Sequence, residues 1–282
     1  MQPGTHEIAH VSDTALMTAA CRALETDRPD GLVRDPFAAQ LAGERGMAIA
    51  RGLANLERMC FGVGIRSRFL DKLVLDTVAA HGIATVLSIG AGLDSRPWRL
   101  PLPATLRWVE VDFPAMLDYK DGIMASAAPA CRRERLAADV SDARERESVF
   151  AAAGGPTLMI TEGLLMYLPG ATIEALAANT VAGHWLLDLT SPEMASRVHM
   201  DSFQSIQNVR ASGHLNGLQI MDALLARGWT GLRRLSYASP DVMEFAAERV
   251  IAMFRNLPPE QMPKPLPAGD PSGVHLLGRQ AS

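Results

Sequence analysis

Between Gly64 and His81 the apolar residues Ile65, Phe69, Leu73, Val74 and Val78 recur at intervals of three and four, while Arg66, Arg68, Asp71 and Lys72 take the other faces. This is the pattern of an amphipathic helix, and Gly82 is placed to end it. Upstream, Ser12 or Asp13 can cap a helix running to about Asp27, which Pro29 and Gly31 stop, and Asp35-Pro36 opens another. Past Gly82 the period changes. Short apolar runs, Thr85 to Ile89, Leu106 to Val111, Leu158 to Ile160 and Trp185 to Leu189, alternate with helical stretches, the order that gives a mostly parallel sheet. Weaker strand candidates are Arg135 to Ala137, Leu232 to Tyr237 and Val274 to Leu277. Pro258, Pro259, Pro263, Pro265, Pro267 and Pro271 mark a surface loop before the last of them. The expectation is one α/β domain, doubly wound, over 1–282: a helical N-terminal part (1–82), a ligand-binding core (83–190), a substrate lid (191–220), and the rest of the sheet (221–282).

Composition narrows the class. With 48% hydrophobic and 21% charged residues the chain reads as an ordinary globular protein. A formal net charge of -4 offers no basic field for phosphates, so nucleic acid is not the expected partner and a small molecule or peptide fits better. Cys21, Cys60 and Cys131 are too scattered for a zinc site or disulfide framework, so no metal is expected. No basic segment followed by an apolar one opens the chain, and no run is long enough to span a membrane, so the expected compartment is the cytoplasm. Oligomeric state is left open.

Candidate chemistry begins where the first strand ends. In open α/β sheets ligands bind beyond the carboxyl ends of the strands, where strand order reverses. There Ser88-Ile89 runs into Gly90-Ala91-Gly92-Leu93-Asp94, and glycines permit a tight turn and close approach of backbone to a ligand. About twenty residues on, Asp112 closes the second strand, where an acid accepts hydrogen bonds from ribose hydroxyls. The plain alternative for Asp112 is a turn residue before Pro114. Leu93-Asp94-Ser95 breaks the GxGxxG phosphate fingerprint, and Asp94 would repel a pyrophosphate, so a nucleoside without phosphates is preferred over a dinucleotide. S-adenosyl-L-methionine is the commonest such ligand.

The stretches Ser88 to Leu100, Glu110 to Pro114 and Thr161 to Pro169, with Asp13 to Ala15, Arg34 to Phe37 and Arg66 to Asp71, together resemble the leucine carboxyl methyltransferase family, which includes tetracenomycin-type polyketide methyltransferases. The likeness spans about 12 to 190. It implies a Rossmann-like S-adenosyl-L-methionine-dependent enzyme in which Arg66 holds the donor carboxylate, Gly90 and Gly92 approach it by backbone, and Asp112 takes the ribose. Asp139 and Val140 would receive the adenine, Glu162 would lie near the amino-acid portion, and Tyr167 would face the transfer centre. Plainer readings are a solvated helix charge for Arg66 and a capping acid for Asp139; Asp94 and Arg96 are spaced to brace the loop as a pair.

The chain has Thr161-Glu162-Gly163-Leu164 where amino-group methyltransferases carry an Asn/Asp-Pro-Pro-Tyr/Phe loop, which favours an oxygen acceptor in a small molecule, polyketide or peptide natural product. A carboxylate is ionised at neutral pH and needs no base, whereas a hydroxyl does. His199 and His214, in the expected lid, are the candidate bases, and Arg197 and Arg210 the candidate anchors for an acidic substrate. The competing classes are an NAD-type oxidoreductase and a non-catalytic partner protein with the same fold.

Overall fold

The computed structural model describes residues 11–197, 215–238, 240–255, 262 and 266–279. His199, Arg210 and His214 lie outside the described residues, as do most of the expected lid and much of the proline-rich segment.

Three helices precede the sheet: α1 (Val11–Asp27), α2 (Ala38–Arg51) and α3 (Leu56–His81). Helix α3 begins two turns before the periodic stretch, because Met59, Cys60 and Val63 bury against α1 as well as against the rest of the chain. Gly82 ends it in the left-handed conformation (φ 57°), which a residue without Cβ adopts at no steric cost.

After Gly82 come β1 (Thr85–Ile89), α4 (Arg96–Arg99), β2 (Arg107–Asp112), α5 (Pro114–Met124), β3 (Arg132–Ala137), α6 (Ala143–Ala151), β4 (Thr157–Thr161), a 3-10 turn (Leu165–Tyr167), α7 (Gly170–Ala177), β5 (His184–Leu189), α8 (Pro192–Arg197), α9 (Gly217–Ala226), β6 (Thr230–Ser236), α10 (Pro240–Phe254) and β7 (Gly273–Gly278). The sheet order is β3-β2-β1-β4-β5-β7-β6; β7 is antiparallel to β5 and β6, and the other neighbouring pairs are parallel. From β1 the chain winds outward to β3, then returns to β4 on the other side, so strand order reverses between β1 and β4. Residues 217–220, expected in the lid, instead open α9 behind a capping box of Asn216 and Gln219, and Ile220 is buried in the core.

Strand composition explains the order. Strands β1 and β4 are buried along their whole length, as central parallel strands covered on both faces must be. Both edges carry charge: β3 reads Arg132-Arg133-Glu134-Arg135, and β6 presents Arg233 and Arg234, devices that discourage pairing with another chain. Side chains alternate between two cores. Val86, Trp108, Leu158, Ile160 and Leu186 pack under Phe69, Leu70 and Leu73 of α3, while Leu87, Val109, Met159, Trp185 and Leu187 pack on the face of α6, α7 and α9. Trp185 meets Trp229 edge to face at 5.3 Å, and each indole N–H has an acceptor, Thr161 Oγ1 and Ala177 O.

Two histidines in the sheet make stability depend on pH. Burial, and the neighbouring His81, hold His184 below its ordinary value of 6.5; burial also lowers buried His275, against its hydrogen bond with Pro271 O. The folded protein therefore resists protonation that the unfolded chain accepts, so stability is full above pH 6.5 and declines as pH falls below it. The thermal midpoint is expected to drop between about pH 7 and pH 5, and His275→Gln to flatten that slope; an unchanged slope would count against the assignment.

Candidate functional site

At the carboxyl ends of β1, β2 and β4 lies a cavity of about 600 Å³. Residues of α1, α3 and α10 also line it. Arg66, Gly90, Gly92, Asp112, Asp139, Val140, Glu162 and Tyr167 all line it, so residues chosen from five separate stretches come together.

The glycine turn is held by the second strand. Gly90 and Ala91 donate to Val111 O at 2.8 and 3.0 Å, and Gly92 N donates to Asp112 Oδ2 at 2.7 Å. Gly90 and Gly92 both have positive φ, 67° and 44°. A Cβ on Gly90 would come within 2.9 Å of Leu164 Cδ1, which a shift of that flexible side chain can relieve, so it is the positive φ that calls for glycine there. Asp112 Oδ1 accepts from Phe113 N at 2.7 Å, leaving each carboxylate oxygen one further lone pair. Burial pushes the Asp112 carboxyl above its usual range despite the two amides. Asp139, two residues beyond β3, accepts from Ser141 N through Oδ1, beside buried Val140.

Below the turn lies a network of arginines and carboxylates. Arg96, 2% exposed, donates to Asp71 (2.7 Å), Asp94 (3.0 Å) and Glu162 (2.6 Å). Arg99 holds Asp71 with both terminal nitrogens, and Arg22 reaches Asp35, which also accepts from Ser95. The Asp94–Arg96 pair thus braces the loop as expected from the spacing. Arg96 is shared among Asp94, Asp71 and Glu162, so Asp94 belongs to an ion-pair network in which carboxylates outnumber this one cation.

Arg66 sits 2.9 Å from Glu162 and 3.5 Å from Asp188. Among the described residues Nη1 donates to Asp188 Oδ2 while Nε, facing Glu162, is buried without a hydrogen-bond partner, and Gly163 packs against the guanidinium, where a Cβ would approach Nη1 to 3.4 Å. Burial alone would raise the Glu162 carboxyl, but Arg96 and Arg66 outweigh it and hold it at about 2. Asp188 goes the other way, raised by burial more than Arg66 lowers it, while its Oδ1 accepts from Gly163 N at 2.6 Å. Arg68, the plainer surface charge of the pair, is exposed and lies over the Phe245 ring.

Asp188 and Tyr237 line the same cavity and were not singled out from the sequence. Asp188 had a signal, a lone charge inside an otherwise apolar strand. Among the described residues no cluster of three or more His, Cys, Asp or Glu is placed to hold a metal ion.

Residues 15–181, more than half of the chain, match the family model for leucine carboxyl methyltransferase. The chain belongs to the leucine carboxyl methyltransferase family. A Mycobacteroides abscessus protein, provisionally named an S-adenosyl-L-methionine-dependent methyltransferase, is 41% identical to this member over 182 residues, 60% of this chain and 58% of that protein. A similarly named Streptomyces coelicolor protein is 37% identical, over 58% and 62%. The chain thus spans about three fifths of the length of these curated relatives. The fold is that of class I methyltransferases: a crystal structure of a provisionally assigned methyltransferase from Thermobifida fusca superposes with a TM-score of 0.55 at 15% identity, covering 95% of this chain and 94% of that one.

Proposed function

We propose that this protein is an S-adenosyl-L-methionine-dependent O-methyltransferase acting on the carboxylate of a small molecule. The observation that carries the reading is the convergence of the glycine turn, Asp112, Asp139-Val140 and the Arg66–Glu162 pair on one cavity at the switch point of a sheet whose family is that of methyltransferases. The residues fit such a donor: Asp112 keeps lone pairs for ribose hydroxyls, Asp139 and Val140 offer an acid and an apolar face for adenine, and Arg66 brings a guanidinium for a carboxylate. Glu162 and Asp188 supply negative charge for an ammonium group.

When bound, S-adenosyl-L-methionine supplies a methyl group on a sulfonium, which an incoming nucleophile displaces in line. The protein's part is to bind, align and exclude water. Among the described residues lining the cavity there is no histidine, and Glu162 is held ionised by two arginines, so a nucleophile that arrives already ionised suits the site. His199 and His214 are the bases a hydroxyl acceptor would call on, and a ~10²-fold loss of rate on replacing either would point to that acceptor instead.

The reading is tested by incubating enzyme and donor with candidate acids and phenols and following a gain of one methylene unit by mass spectrometry. Donor binding is tested separately. Arg66→Ala is expected to weaken S-adenosylhomocysteine about tenfold by calorimetry, the scale of one lost charge-assisted contact. It should leave 5′-methylthioadenosine, which has no amino-acid end, unchanged. Equal affinity of variant and wild type for S-adenosylhomocysteine would remove Arg66 from the role.

A further inference from the structure

The cavity extends past the residues assigned to the donor. Asp112 and Asp139 follow β2 and β3 on one wing of the sheet and Glu162 follows β4, whereas Tyr237 follows β6, on the opposite edge. There Phe61 of α3 and Phe245 and Val250 of α10 pack in one cluster with Tyr237, and Met243, Met253 and Phe254 of α10 also line the cavity. Buried Arg249 grips Glu25 of α1 with two nitrogens, which fixes α10 in place. Methionine and aromatic side chains make an adaptable apolar surface.

Beside that surface, and within electrostatic reach of Asp188, Glu162 and Arg66, the Tyr237 hydroxyl is buried and has no hydrogen-bond partner among the described residues. Leaving such a group unpaired is costly, so one inside a ligand cavity points to a ligand atom. Burial, reinforced by Asp188 and Glu162 against the opposing charge of Arg66, pushes its phenol well above the ordinary value. The hydroxyl stays protonated and acts as a donor.

We propose that Tyr237 positions the acceptor: its hydroxyl donates to one carboxylate oxygen of a predominantly apolar acid whose body rests on α3 and α10, leaving the other oxygen to attack. This rests on the methyl-transfer reading above. In the step, the oxygen–methyl bond forms as the methyl–sulfur bond breaks, the electron pair stays on sulfur, and the carboxylate and sulfonium charges cancel with no proton moved. Tyr237 is a positioning residue, and the apolar wall sets the class of acceptor.

The test is a titration of the protein saturated with S-adenosylhomocysteine, using 2-naphthoic acid, dodecanoic acid and uncharged naphthalene as probes, in wild type and Tyr237→Phe. The expected result is that both acids bind wild type and bind the variant about tenfold more weakly, while naphthalene and S-adenosylhomocysteine bind both proteins equally. Equal binding of the acids by the variant overturns the role of Tyr237. Loss of S-adenosylhomocysteine affinity in the variant overturns it too, by placing the residue on the donor. A wild type that binds S-adenosylhomocysteine but neither acid overturns the acceptor class, and one that does not bind S-adenosylhomocysteine sinks the methyl-transfer reading itself.

Discussion

Arg96→Ala is expected to destabilise the fold by about 3–5 kcal/mol, the usual cost of removing one partner from a buried charge cluster. Arg96 is 2% exposed and faces Asp71, Asp94 and Glu162, all within 3.0 Å. Among the described residues Arg99 still holds Asp71, but Asp94 has no other salt-bridge partner, and Glu162 keeps only Arg66. The loss should be read by denaturant unfolding, and a change under ~1 kcal/mol would mean that the cluster relaxes without its cation. A pH readout isolates the same effect. Glu162, held near 2 against an ordinary 4.5, gives stability that is present above pH 4.5 and is lost as pH falls toward 2. Without Arg96 that depression shrinks, so the variant should lose less of its own stability across this window than wild type does. An equally steep acid loss would show that Arg66, not Arg96, keeps Glu162 ionised.

The network also shows which parts of the site were legible. Positions tied to local backbone rules stood out in the sequence: Gly90 and Gly92 at a turn, Gly82 at a helix end, and Asp112 at the close of a short apolar run. The arginine cluster did not, since Asp35, Asp71, Asp94 and Glu162 lie in four separate stretches and only the fold brings them to Arg22, Arg96 and Arg99. The central strands were legible because burial on both faces makes them apolar throughout, while β3 reads Arg-Arg-Glu-Arg and is set in the sheet by parallel pairing to β2, which its own residues do not announce. Tyr237 was the hardest to see: it follows an exposed edge strand, and its burial comes from packing with Phe61 of α3 and Phe245 and Val250 of α10.

Asp112→Ala should lower affinity for S-adenosylhomocysteine about 100-fold or more, since two charge-assisted hydrogen bonds to ribose hydroxyls are worth about 3 kcal/mol or more together. The same carboxylate braces the glycine turn through Gly92 N and caps Phe113 N, so the variant also loosens the turn. Two comparisons separate these effects. Asp112→Asn keeps one carbonyl oxygen for an amide and should retain the turn better than the ribose contact. 5′-Methylthioadenosine, which shares only the nucleoside, should lose affinity with Asp112→Ala as steeply as S-adenosylhomocysteine does, in contrast to its indifference to Arg66→Ala. A ribose acid alone would serve a dinucleotide equally well, so the same calorimetry run with NAD is the control: Arg96, the cation beside the glycine turn, is already shared by three carboxylates and has little left for a pyrophosphate. NAD should therefore bind neither wild type nor variant. If Asp112→Ala leaves both adenosine ligands bound at wild-type affinity, Asp112 is a brace for the turn and nothing more, and the nucleoside must be held by other residues of the cavity.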